Sequence, residues 1–307
     1  SFPRREKRII HQFKQKADDL VSGADWPGLL EHSQKWTGLD RLNPEAWLAF
    51  GLANYELAQF SLAQPAFETY FRLKQEDNDE VLGYLTKTYI KLKKKGAAER
   101  ALVRVIALRS KFNRPRSSED AYYYNELGNI YFSSPEKRQE ALQLYRQALA
   151  MEPNNESFKS NVNAALKALA NQPMTTGAQQ SSQETYSANA NGNLNNLTAW
   201  QNESHPPDTK QKTNPGLSAA AAAGDFQAVQ LLLNKGADIN LLEMGSFPLI
   251  QAAKHKQSEM VAWLLKLGAD VNAEDSNGNK AIIYSIVNGD KKSMDFLTNA
   301  GALQGYR

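Results

Sequence analysis

The sequence predicts an all-α protein: two short α-solenoids joined by a polar, low-complexity linker. Three observations predict it. An order of large and small residues returns at intervals near 34 residues across residues 8–155. A different order returns at 32 and 33 residues across 216–304. Between them, residues 171–213 are dominated by Asn, Gln, Ser and Thr, which cannot bury enough apolar surface to offset the entropy of ordering. The expected domains are therefore residues 1–170, a linker over 171–213, and 214–307.

The first order is clearest from Pro44. Trp47, Phe50, Gly51, Tyr55, Ala63, Phe67, Tyr70 and Leu73 follow it. From Asp79 the matching residues are Leu82, Leu85, Thr86, Ile90, Ala98, Leu102, Val105 and Leu108. From Ala121 they are Tyr124, Leu127, Gly128, Tyr131 and Phe132, then Ala141, Tyr145 and Ala148. A weaker copy from Ile10 holds Phe13, Ala17, Leu20, Val21, Trp26 and Trp36. Each unit reads as two antiparallel helices, in which small residues allow close approach and aromatics fill the space between neighbouring pairs. Pro65 fits inside a second helix only if that helix starts near Ser61. The segment 109–120 is expected to be a loop, and 156–170 a capping helix. This pattern resembles tetratricopeptide (TPR) repeats, four of them over 8–155.

The second order is carried by LLLNKGADIN (231–240), WLLKLGADVN (263–272) and FLTNAGALQG (296–305). Gly236, Gly268 and Gly301 are expected to end helices in the left-handed conformation. Asp238 and Asp270 are expected to brace the turns that follow. Pro248 suits the first turn of a helix, where a missing N–H costs nothing. This segment resembles ankyrin repeats, three over 216–304. The family's helix-start histidine is replaced by Ile250 and Ile283.

The chain has 307 residues, a net charge of +3 and no cysteine, so disulfides, thiolate nucleophiles and zinc–thiolate sites are excluded. No apolar run approaches 18 residues, so no bilayer-spanning helix is expected. The chain reads as soluble and bacterial, exported to the periplasm or cytoplasmic, with a signal or anchor ahead of Ser1 left open. The four histidines are scattered, and no phosphate loop, dinucleotide fingerprint, zinc motif or nucleophile elbow occurs. No enzyme activity, cofactor, metal or small-molecule substrate is expected.

What remains is surface. The TPR resemblance implies a concave peptide groove made by first helices: Leu48, Leu52 and Tyr55, then Lys87 and Lys91, then Tyr122, Asn125, Asn129 and Phe132. Asn side chains there would pin a peptide backbone, and Lys87 and Lys91 would meet an acidic side chain or terminal carboxylate. The ankyrin resemblance implies a second surface at the hairpin tips, with Leu242, Met244, Phe247 and Glu274 on it. It faces a protein partner or the TPR half of the same chain. Lys87 to Arg116 holds eleven basic residues and one acid. Lys93, Lys94, Lys95, Arg100 and Arg104 form the core of that basic patch, which reads first as a solvated face balanced by Glu76, Asp77, Asp79 and Glu80, and otherwise as the alternative site for nucleic acid or an anionic membrane surface. The reading is a non-enzymatic adaptor for protein or peptide partners, whose two tethered arrays work by effective concentration.

Overall fold

A computed structural model describes residues 2–111, 117–171 and 216–304. Among the described residues the secondary structure is helical, with one isolated bridge between Glu243 and Ser246. The first half forms the hairpins α1 (Phe2–Ser22) with α2 (Trp26–Leu39), α3 (Pro44–Glu56) with α4 (Phe60–Lys74), and α5 (Asp79–Lys91) with α6 (Lys95–Lys111). The fourth pairs α7 (Ser118–Phe132) with α8 (Arg138–Met151), and α9 (Glu156–Ala170) closes the row. The last third forms α10 (Leu217–Ala223), α11 (Phe226–Asn234), α12 (Pro248–Lys254), α13 (Ser258–Lys266), α14 (Ala281–Val287) and α15 (Lys291–Asn299). Residues 172–213 of the expected linker lie outside the described residues, as do 112–116 of the basic tract.

The helix starts are written in the sequence. Asn43, Asn78 and Asn155 accept the first free backbone donors of α3, α5 and α9, with Oδ1 3.1 Å from the N of Glu45, Glu80 and Ser157. Ser117 and Asp120 form a reciprocal capping box at α7. The helix that holds Pro65 starts within one residue of Ser61, as the sequence required. Helix α4 begins at Phe60, so Pro65 lies a turn beyond the free donors, and Ser61 loses its usual backbone partner. Both residues are exposed, which leaves the Ser61 carbonyl to water.

Packing within each hairpin depends on the small residues. A Cβ built on Gly51 would lie 2.6 Å from Phe67 Cε1, and one on Gly128 2.7 Å from Tyr145 Cε1. Both aromatic rings are buried, so neither has room to retreat. Gly51→Ala is expected to destabilise by about 1–3 kcal/mol through overpacking. Denaturant unfolding checks this, and Phe67→Leu in the same chain should recover part of the loss. An unchanged midpoint would refute the packing assignment.

In the last third, Gly236, Gly268 and Gly301 hold φ near +90°, +89° and +95° where the second helices end. Asp238 and Asp270 each accept a hydrogen bond from the backbone two residues on, at 3.0 and 2.8 Å. Asn240 ties successive repeats: its amide donates to the Gly268 carbonyl at 3.1 Å and its Oδ1 accepts from the Asp270 N–H at 2.8 Å. Ile250 and Ile283, in the histidine's place, are buried among apolar neighbours.

Helices α14 and α15 pack against α6 and α8 of the first half. Every residue from Ala101 to Leu108 is consequently buried, because one side of α6 faces its own array and the other faces α14 and α15. Lys111 Nζ donates to Asn299 Oδ1 at 3.1 Å across this seam. A Cβ added at Gly289 would lie 2.9 Å from Gln147 Nε2. Glu140 of α8 has a buried carboxyl oxygen without a hydrogen-bond partner, and burial raises its pKa against the pull of Lys254 and Lys137.

Candidate functional site

The first helices α3, α5, α7 and α9 line one side of the first array. Leu48, Leu52, Tyr55 and Tyr122 are half-buried there, and Lys91 is exposed. Tyr55 meets Tyr84 edge-on with ring centroids 5.1 Å apart, and Tyr84 stacks on Phe67 at 6.0 Å. The spacing of the units brings these rings together from adjacent repeats. Burial raises the pKa of Tyr55 and Tyr84, with Glu56 and Glu119 adding to the effect. Burial and the neighbouring Glu126 push Tyr122 well above the usual phenol range and Tyr145 up to about 12.

Four predicted groove residues already have partners within the chain. Lys87 Nζ lies 2.6 Å from Glu119 Oε1 and 5.9 Å from the ring centres of Tyr84 and Tyr123, so it is not a free ammonium for an acidic guest. Asn125 is 7% exposed, and its Oδ1 accepts from Asn161 Nδ2 at 2.7 Å. Phe132 is half-buried against Tyr145, with the Arg138 guanidinium 5.8 Å from its ring centre. Asn129 is exposed, and its Oδ1 accepts from the Tyr145 hydroxyl at 3.0 Å. Tyr84, Glu126 and Asn161 were not read from the sequence as groove residues. Tyr84 and Glu126 occupy the sixth position of their units, and that shared offset was the available signal.

The basic patch also changes. Arg104 is buried and paired with Asp77, and its guanidinium lies 5.4 Å from the Phe71 ring centre, so it is not part of an open basic surface. Arg109 joins α5, α6 and α7: it sits 2.6 Å from Asp120, 3.1 Å from Glu119 and 3.4 Å from Asp79. Burial works against the Glu119 carboxylate, but Lys87, Tyr123 and Arg109 outweigh it and hold its pKa below the ordinary range. Lys93, Lys94, Lys95 and Arg100 remain exposed. Lys94 and Lys95 donate to Gln64 and Ser133 at 2.7 and 2.6 Å.

At the hairpin tips, Met244 is 98% exposed and Leu242 51%. Glu274 is exposed, with Lys280 3.8 Å away. Phe247 is half-buried against the core, not an open tip residue, because it leads into α12. Glu243 faces inward: its two carboxylate oxygens accept from the N–H groups of Gly216 and Ser218 at 2.8 and 2.9 Å.

The described residues form a helical-repeat protein of two successive arrays, paired helices in the first half and shorter helix pairs in the last third. The ankyrin-repeat family model, in three copies, matches residues 186–275 and 217–305. Over 105 residues the chain is 34% identical to the mouse B-cell lymphoma 3 protein homolog, covering 33% of this chain and 23% of that protein. Over 62 residues it is 38% identical to the putative ankyrin repeat protein FPV230 of fowlpox virus, covering 20% of this chain and 33% of that one. The matches thus span about a quarter and a third of those relatives' lengths. Among solved structures, the MamA protein is similar with a TM-score of 0.44 at 20% identity, covering 52% of this chain and 82% of that chain. The C-terminal part of a TPR repeat-containing protein from Cytophaga hutchinsonii is similar with a TM-score of 0.32 at 17% identity, covering 88% and 98%. Ankyrin and TPR repeats generally mediate protein–protein interaction. No helix among the described residues is long and apolar enough to cross a membrane.

Proposed function

We propose that the chain is a non-enzymatic adaptor that binds a partner peptide on the concave face of its first array and a second partner at the ankyrin hairpin tips. The observation that carries this reading is the row Leu48, Leu52, Tyr55 and Tyr122, apolar and aromatic side chains left half-exposed along α3 and α7. Their counterparts on the other side of each hairpin, Phe67 and Tyr145, are buried in stacking. Met244 and Leu242 supply the second surface. The seam between α6 and α14–α15 supports a docked pair of arrays, which holds two partners at a set geometry in place of a loose tether.

A photo-crosslinking amino acid placed at Leu48 or Asn129 of the full chain tests the concave face, with Arg146 of α8 as the exposed control position. Protein adducts at the first two sites and none at the third are expected. The same adducts at all three sites would overturn the assignment.

The alternative, binding of nucleic acid or an anionic membrane surface, draws on Lys91, Lys93, Lys94, Lys95 and Arg100, which are exposed. Neutralisation of Arg104 and Arg109 by Asp77, Asp79, Glu119 and Asp120 weighs against it.

A further inference from the structure

We propose that the concave face recognises a peptide by a basic side chain, lysine or arginine, seated among Tyr55, Tyr84 and Tyr122 and charge-paired by Glu56 and Glu126. The proposal rests on the peptide-groove reading above and names the chemistry of the guest, which is opposite to the acidic guest that Lys87 and Lys91 suggest in the sequence.

The charge count around the three tyrosines decides the sign. Glu56 follows Tyr55 in α3, Glu126 lies one turn on from Tyr122 in α7, and Lys87 Nζ, 5.9 Å from the Tyr84 ring centre, is bonded to Glu119. Lys87 is matched by Glu119 at 2.6 Å, which leaves Glu56 and Glu126 in excess. Neither is within ion-pair distance of a cation among the described residues. Glu126 is held only by long contacts, 3.4 and 3.3 Å, from the amides of Asn125 and Asn129. Such contacts leave its lone pairs open to a stronger donor.

The rings supply the second half of the recognition. An aromatic face attracts a cation through its quadrupole, and more strongly where water is partly excluded. These tyrosines are half-buried, which meets that condition. The chain's own Lys87 already sits 5.9 Å from the centre of Tyr84, so a cation fits against rings of this face. A guest lysine or arginine would gain the same ring contact beside carboxylates that have no cation within ion-pair distance among the described residues. An acidic guest would meet Glu56, Glu119 and Glu126 and find Lys87 occupied.

The test is selection from a displayed library of random peptides against the full chain, followed by fluorescence polarisation of the enriched peptides. Enrichment of lysine or arginine at a fixed position is expected. Affinity should fall about tenfold on Glu126→Gln or on Tyr122→Leu, and similarly when the peptide's basic residue is replaced by methionine. Circular dichroism melting of each variant separates a lost contact from lost folding. Glu56→Gln, fully on the surface, serves should Tyr122→Leu not fold. Enriched peptides that are acidic or lack a basic residue, and that weaken on Lys91→Ala or Asn129→Ala, would overturn this inference while the groove reading stands. An absence of enrichment, or binding indifferent to every concave substitution, would end both.

Discussion

Arg109→Met is expected to lower the stability of the chain by about 3–5 kcal/mol. Its guanidinium holds Asp79, Glu119 and Asp120 from two different helices, and its side chain is 11% exposed. Removing it takes the shared cation from Asp79 and Asp120 and leaves Glu119 with Lys87 alone, and the neighbouring like charges repel. It also frees the start of α7, whose capping box is formed by Ser117 and by Asp120, the residue that pairs with Arg109. The double change Arg109→Met with Asp79→Asn should recover part of the loss, because it removes one of the stranded charges. The network also carries a pH signature. Against its burial, Glu119 is held below its ordinary pKa by Lys87 and Tyr123 with Arg109 adding, so the part of its contribution that Arg109 supplies is full above the unfolded carboxylate's pKa and fades as pH falls through the lowered folded value. Thermal melting of wild type and variant across acid pH reads this, and the gap between them should narrow as pH falls. A constant gap would show that the network is not the origin of the loss.

Ala107→Glu is expected to separate the two arrays at a cost of roughly 4 kcal/mol. Ala107 is 1% exposed and lies one turn before Lys111, on the side of α6 away from Leu102 and Val105. A glutamate there is too large for the seam between α6 and α15 and would bring an unpaired charge into it. Three ankyrin repeats are close to the minimum for a stable stack, so the last third should then melt first. Calorimetry of the wild-type chain should give one transition and the variant two. One transition at an unchanged temperature in the variant would refute the docking role of α6.

Much of each hairpin was legible because its determinants are local. Gly236, Gly268 and Gly301 ended their helices as read, and Pro248 opened α12 at its first residue. The repeat register likewise gave Gly51 and Gly128 their places against Phe67 and Tyr145. The seam was harder because it joins residues far apart in sequence, and no period connects α6 to α14. A trace was present all the same: apart from Arg104 in ALVRVIAL and Tyr284 and Ser285 in AIIYSIV these stretches are apolar, and their apolar residues run round the helix, the mark of one covered on most sides. The site was legible in outline only. Periodicity put Lys87 on the concave face, but not the Glu119 that neutralises it, since Glu119 stands before its unit and beyond the long connection from α6. Asp77 was among the acids expected to balance the basic run, but its pairing with Arg104 in particular was not legible, because Asp77 belongs to the turn ahead of α5.

The seam has a consequence for synthesis on the ribosome. Lys111 and Asn299 are separated by 188 positions. At roughly 5–20 residues per second, α6 emerges about ten to forty seconds before the helices that cover its outer side. Through that interval Val103 and Ala107 form an unshielded greasy strip on a nascent array, so chaperone capture should concentrate on chains stalled between α9 and α14 and subside once α15 has been made.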